Sequence, residues 1–155
     1  MRRSLLALAL AGCGHTRAPV AIPPHPPPDC ITCSVAIVLD DDMDASFRLE
    51  RVEAQLDGAV LYFRADPDLY QVKSLDFARD LKLSSDRHVL NVALVFHGWG
   101  MGVFAYLRNY KFNVRSTYDL WPRKGLVLHV HAFEKGGVTT PLEERPALRY
   151  EALIE

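Results

Sequence analysis

The chain has 155 residues, of which 49% are hydrophobic, and its formal net charge at neutral pH is −1. This length is enough for one domain with a hydrophobic core of its own. The basic residues form no block along the sequence. Because a nucleic-acid partner requires a clustered positive face, we expect no nucleic-acid binding.

The first residues have the pattern of a secretory signal peptide. Arg2 and Arg3 precede an apolar run at positions 4–11. That run is far shorter than the roughly 20 residues of a membrane-spanning helix, and no later run reaches that length. A charged start, a short apolar stretch and small residues before a cleavage point are typical of a signal peptide. We therefore predict that residues 1–12 are removed.

The segment Leu10-Ala11-Gly12-Cys13 resembles the lipobox of bacterial lipoproteins. The resemblance implies cleavage before Cys13, a diacylglycerol on its thiol and a further acyl chain, such as palmitate, on its amine. Two or more acyl chains anchor a protein stably in a membrane. Gly14 stands where many such proteins of the inner membrane have Asp, so the resemblance implies the outer membrane, on its periplasmic face or at the cell surface. The alternative is an ordinary signal peptide followed by an unrelated cysteine.

Residues 13–29 are predicted to form a lipidated, proline-rich tether. Six prolines lie between positions 15 and 29, with hardly any periodic apolar pattern. Such a segment is extended and stiff, at about 3.1 Å per residue where polyproline II forms.

Two further cysteines, Cys30 and Cys33, form a CxxC pattern at the end of the tether. Such a pair can be a redox centre, half of a zinc site or a small disulfide. A redox centre requires a βαβ context, and a zinc site requires two more ligands. Neither is indicated by the neighbouring sequence, and outside the cytoplasm we expect a disulfide.

From Ser34 onward the hydrophobic residues alternate with period two, the pattern of β-strands. The alternation reverses near Glu50-Arg51, which predicts a β-bulge. Asp57-Gly58 separates two alternating runs and predicts a hairpin, because both positions of that turn need positive φ. In 74–83 we expect either one short helical turn or a strand at 80–83. The other predicted strands are 34–40, 46–56, 59–65, 86–97, 110–118, 126–134 and 147–155.

These elements predict an all-β fold, a single antiparallel β-sandwich of about seven strands over residues 30–155. The segments LDG and DRHVLNVAL resemble small periplasmic β domains of the PEGA type, with Asp86-Arg87-His88 in place of that family's Gly-x-His. The resemblance concerns the fold alone and implies no function.

His129 and His131 lie two positions apart on one predicted strand, so their side chains point to the same face. A His-x-His pair on a strand is the beginning of a zinc or copper site. His88 or His97 would complete it if their strands were neighbours of this one. The alternative is two half-exposed histidines without a ligand.

The glycine-rich stretch GWGMG at 98–102 is not followed by the helix that a phosphate-binding loop requires. We predict a hairpin tip that presents Trp99, with Tyr106 nearby, beside an exposed strand edge carrying Lys111 and Arg115. Exposed aromatic rings bind sugars or anchor a protein partner. The alternative is that these rings complete the core.

Four aspartates at positions 40–44 lack the spacing of a calcium-binding loop and are interpreted as a solvated turn. No serine lies in a nucleophile-elbow sequence, and no nucleophile, base and orienting group are associated by spacing. We therefore expect neither an enzyme nor a cofactor.

The sequence predicts a lipoprotein of the outer membrane with a non-enzymatic binding or scaffolding domain, an accessory subunit that contacts another envelope protein. One alternative is a module that binds glycan or peptidoglycan. The other is a periplasmic metal-binding protein that uses His129 and His131.

Overall fold

The computed structural model describes residues 29–100, 105, 107–108, 110–137 and 139–155. Short 3₁₀ helices lie at Pro67–Gln71 and Leu142–Glu144. The strands, in chain order, are β1 (Thr32–Asp41), β2 (Phe47–Leu56), β3 (Ala59–Arg64), β4 (Ser74–Ser84), β5 (His88–Gly98), β6 (Lys111–Leu120), β7 (Leu126–Glu134) and β8 (Pro146–Ile154).

The strands form two four-stranded sheets that pack face to face in a β-sandwich-like fold. The first sheet has the strand order β4-β1-β7-β8, and the second sheet has the order β3-β2-β5-β6. All neighbouring strands are antiparallel except β1 and β7, which are parallel. The all-β prediction is confirmed, and the single sandwich of about seven strands fits roughly: the described residues form eight strands, and one sheet is mixed and not antiparallel.

The extra strand is β4, where the sequence left a helical turn and a short strand as alternatives. β4 begins at Ser74, six residues before the predicted strand at 80–83, and pairs with β1 through an irregular register. Leu75 and Phe77 are two positions apart and both side chains are buried in the core. The segment therefore follows the period-two pattern of a strand and not the pattern of a helix. The helical turn lies earlier, at Pro67–Gln71, because Asp66 caps the backbone N–H of Asp68 and proline favours the first helical position.

Two local predictions in the second sheet are confirmed. The turn between β2 and β3 is Asp57-Gly58, with φ of 50° and 83°. The register of β2 against β5 shifts between Leu49 and Arg51, so that Leu49 and Val52 both point into the core. The bulge therefore lets one long strand keep a continuous hydrophobic inner face.

The core lies between the two sheets. Along each strand, alternate side chains point inward and form this core. Aromatic pairs close both open sides: the rings of Tyr118 and Tyr150 stack at 4.5 Å between β6 and β8, and those of Tyr62 and Phe77 lie 5.2 Å apart between β3 and β4. The largest fully buried side chains are Phe96, Ile37, Leu39, Leu49, Leu69, Leu90, Leu94, Leu120 and Leu128.

Gly98 at the end of β5 has no room for a side chain, because a Cβ there would collide with the carbonyl group of Leu107. We expect Gly98→Ala to lower the free energy of unfolding by about 1–3 kcal/mol through overpacking. Urea denaturation would measure the loss. The control is Gly137→Ala, since a Cβ at that position meets nothing within 4 Å, and it should change stability by less than about 0.5 kcal/mol. Equal stability of the two variants would contradict the prediction.

Candidate functional site

The outer face of the second sheet carries an open depression of about 420 Å³. In the register of the sheet, Ala93 of β5 lies between Glu53 of β2 and Arg115 of β6. Because the alanine side chain is the shortest of the three, the space above it stays open between two long side chains of opposite charge. The depression is lined by Glu53, Gln55, Asn91, Val92, Ala93, Arg115, Ser116 and Thr117.

The groups around the depression are mostly hydrogen-bond donors and acceptors. Thr117 donates its hydroxyl proton to Oδ1 of Asn91 at 2.7 Å, and Gln55 donates through Nε2 to Oε1 of Glu53 at 2.7 Å. These bonds fix the orientation of both amides and leave further polar atoms of the carboxylate and amide groups for a ligand. The depression is thus a polar site held by three adjacent strands.

An apolar ridge borders the depression on strand β3. Val60 is 64% exposed and Phe63 is 59% exposed. They lie opposite Gln55 and Glu53 in the register of β2 and β3, on the edge strand of the second sheet. Neighbouring exposed apolar side chains rimmed by polar groups are a feature of interaction surfaces.

Trp99 lies at one end of the same sheet and is 39% exposed. The guanidinium carbon of Arg48 is 3.6 Å from the centre of a Trp99 ring, and that of Arg108 is 5.8 Å away. Both distances are in the range of a cation–π interaction. The backbone N–H of Trp99 donates to the carbonyl of Ser46 at 2.7 Å, which holds the main chain at Trp99 against the residue before β2.

The residues predicted to form one contact surface are separated along the sheet. Lys111 pairs with Glu50 at 2.5 Å near the Trp99 end, whereas Arg115 lines the depression. Arg115 lies opposite Ala93, six residues before Trp99, which at about 3.3 Å per residue is on the order of 20 Å. Tyr106 lies outside the described residues. Trp99 and Lys111 are therefore close together, and Arg115 belongs to a different part of the surface.

The histidine pair lies on the outer face of the first sheet. His129 and His131 of β7 are both partly buried, and their ring centres are 5.9 Å apart. Nδ1 of His129 is 2.7 Å from Oδ2 of Asp40, and Nδ1 of His131 is 2.9 Å from Oδ2 of Asp42. Imidazole nitrogens and carboxylate oxygens within one small cluster are ligand types for a divalent metal.

The condition under which His88 or His97 would complete this cluster is not met. Both residues lie on β5 of the second sheet, whereas β7 is flanked by β1 and β8. The third residue is Asp40, the last residue of the predicted strand 34–40, and no local pattern in the sequence indicates that this strand lies beside the histidines. β1 in fact continues to Asp41, and its parallel register places Asp40 beside His131.

Other carboxylates have environments of their own. Burial raises the pKa of Asp41, although its carboxylate accepts a hydrogen bond from the N–H of Met43 at 3.1 Å. At the β2–β3 turn, a hydrogen bond from His88 at 2.6 Å and one from the N–H of Val89 hold the pKa of Asp57 below its ordinary value. The Asp57–His88 pair repeats the contact of Asp40 with His129 at a different place in the fold.

At the start of the described chain, the sulfur atoms of Cys30 and Cys33 lie at disulfide-bonding distance, with their Cα atoms 5.5 Å apart. This agrees with the predicted disulfide. Asp29 accepts a hydrogen bond from the backbone N–H of Lys124 at 3.0 Å, which holds Asp29 against the β6–β7 loop. Cys13 lies outside the described residues.

In the part of the chain that the structure describes, no helix has the length and apolarity needed to cross a membrane. Comparison of the chain with protein-family models, with curated proteins and with solved structures gave no match, and this includes the PEGA-type domains. Inferences about function therefore begin from the two outer faces of the sandwich.

Proposed function

We propose that the chain is a lipid-anchored protein of the outer membrane that acts by binding and not by catalysis. In this proposal Cys13 carries the lipid, residues 13–29 form the tether, and the β domain contacts another envelope protein. The contact surface is the outer face of the second sheet. The observation that carries the proposal is the exposure of Val60 and Phe63 beside the polar depression.

The connectivity of the strands supports presentation of the Trp99 end of this sheet away from a lipid at Cys13. β1 begins at Thr32, next to the tether, and has 10 residues, so its far end lies on the order of 30 Å away at about 3.3 Å per residue. The turn after β1 leads into β2, and the hydrogen bond of Trp99 to Ser46 lies at this far end. Trp99 would therefore face a partner above the membrane.

The composition of the surface supports a protein partner. Protein interfaces combine an apolar, aromatic centre with a polar rim, and tryptophan and arginine are enriched among the residues that dominate binding energy. Phe63 supplies an aromatic ring next to Glu53, and Trp99 with Arg48 supplies a second cluster at the end of the sheet. Both clusters lie on one sheet, so one partner can contact both.

A glycan, such as a peptidoglycan fragment, is the second candidate ligand. The depression of about 420 Å³ is within the range of small-molecule sites. Its oriented amides, its carboxylate and its guanidinium match the hydroxyl groups of a sugar, and the exposed ring of Phe63 offers an apolar surface at the rim. The size and polar lining of the depression favour this candidate.

The anchor can be tested in bacterial cells. Wild-type protein should incorporate an alkyne-labelled palmitate and sediment with the outer membrane. Cys13→Ser should lose the label and stay in the soluble fraction after secretion, because the hydroxyl cannot take the place of the lipidated thiol. A double variant of Cys30 and Cys33 to Ser is the control and should keep the label. Membrane sedimentation of Cys13→Ser would contradict lipid anchoring.

The partner surface can be tested by photo-crosslinking in the native envelope. A photoreactive phenylalanine at position 63 is expected to give one dominant adduct with another protein, and the same adduct is expected from position 113, which is also exposed on the second sheet. The control position is Leu153, which is 44% exposed on the first sheet. The same adduct from position 153, or none from positions 63 and 113, would contradict the proposal.

The glycan candidate predicts a different result. Purified protein should bind soluble peptidoglycan fragments in calorimetry, and Arg115→Ala should weaken that binding at least tenfold, equivalent to about 1.4 kcal/mol. Lys111→Ala is the matched control, because Lys111 is a basic residue of the same strand that pairs with Glu50 outside the depression. Equal weakening by both variants, or no binding by wild type, would rule out the depression as a glycan site.

A further inference from the structure

Three potential metal ligands from two neighbouring strands converge on the outer face of the first sheet. One ligand atom each from Asp40, His129 and His131 can be chosen so that all three lie within 4.8 Å of one another. The geometry points to a binding site for one divalent transition-metal ion, of the kind that accepts Zn²⁺, formed by these three side chains. This site is on the opposite side of the sandwich from the proposed partner surface, so the two proposals stand or fall separately.

The backbone fixes the positions of the three residues. β1 and β7 are hydrogen-bonded in parallel, with Val38 opposite His129 and Asp40 opposite His131. His129 and His131 point to the same face because they are two residues apart on one strand. Sites built on strands hold their geometry more precisely than sites built on loops.

The spacing of the ligand atoms is close to that of a coordinated ion. Zinc ligands lie about 2.0–2.1 Å from the metal, so that two ligands of a tetrahedral ion are separated by about 3.3 Å. Ligand atoms within 4.8 Å therefore need side-chain movements on the order of 1 Å to coordinate one ion. Rotation about the side-chain bonds is enough for such a change, and the strands can stay in place.

Neighbouring carboxylates support the two imidazoles. Asp42 contacts Nδ1 of His131 at 2.9 Å, and Oε2 of Glu151 is 3.5 Å from Nε2 of the same ring. Carboxylates that accept a hydrogen bond from a ligating histidine fix the ring orientation and raise its basicity. Nε2 of His131 is itself buried, and apart from this ion-pair contact with Glu151 it has no hydrogen-bond partner among the described residues. A bound ion would satisfy this polar group.

The charge around the cluster favours a cation. Asp40, Asp42 and Glu151 are three carboxylates around two imidazoles, and the positive charge of Arg149 lies 4.0 Å from Asp42. Acidic groups on one surface attract a divalent ion over several ångströms. Ca²⁺ and Mg²⁺ prefer all-oxygen sites, whereas two imidazoles with a carboxylate suit Zn²⁺ and related ions and leave positions for water.

Isothermal titration calorimetry tests the site. The detergent-solubilised full-length chain is first treated with a chelator and is then titrated with Zn²⁺. Wild type should bind one equivalent, and His131→Ala and Asp40→Ala should each weaken binding about 100-fold or more. His88→Ala is the matched control and should leave the affinity unchanged, because it removes an equivalent histidine–carboxylate pair on the other sheet. Equal weakening by His88→Ala, or absence of wild-type binding, would overturn the proposal.

A second measurement on wild-type protein does not depend on the folding of variants. Zinc-edge X-ray absorption should show two imidazoles with oxygen ligands and no sulfur. A sulfur shell would locate the ion at the cysteines, where Asp29, Cys30 and Cys33 form the other group of potential ligands, and would overturn the assignment. A shell with oxygen but without two imidazoles would also overturn it. The metal-free variants should melt at the same temperature as the metal-free wild type, which would confirm that they are folded.

Discussion

The parallel pairing of β1 with β7 is the constraint on which the arrangement of the first sheet depends. These two strands are the inner strands of the order β4-β1-β7-β8, and each carries a continuous row of buried residues towards the second sheet. Their hydrogen bonds join segments that are about ninety residues apart in the chain. Strands β2 to β6 therefore belong to the connection between two strands that are neighbours in the sheet. The same ladder places Asp40 beside His131, so the pairing that organises the core also assembles the histidine cluster.

Because side chains alternate along each strand, the residues that stabilise the core are different from those that form the outer surfaces. In β5, Leu90, Val92 and Leu94 are buried, whereas Asn91 and Ala93 line the surface depression. Burial of the inner row supplies the hydrophobic stabilisation, and residues of the outer row can be substituted without a loss of core packing. In β7, the aliphatic residues point inward and His129 points outward by the same rule. Two different chemical surfaces can therefore be built on one sandwich.

Local patterns in the sequence predict the strands and turns. Which residues meet at each site depends on which distant strands pair. The turn at Asp57-Gly58 and the bulge near Glu50-Arg51 follow from residue preference and from the phase of the alternation. The parallel register that joins Asp40 to the histidines has no such local signal, because it depends on which distant strand lies beside β1. The sequence predicts that Arg115 lies on an exposed strand edge beside the Trp99 loop, yet extended strands carry residues far apart. Trp99 and Arg115 are therefore far apart on the sheet, separated by the length of strand between their positions.

The shared core lets the two outer faces act independently. A coupling between sites requires a structural element with two arrangements that both sites favour differently. Here the sheets are joined by close-packed aliphatic side chains, with aromatic pairs at both open sides, and such packing resists small displacements. Effects of substitutions at distant independent sites add. A change at Phe63 should therefore leave Zn²⁺ affinity at His129 unchanged, so each surface can be altered and measured while the other serves as the reference.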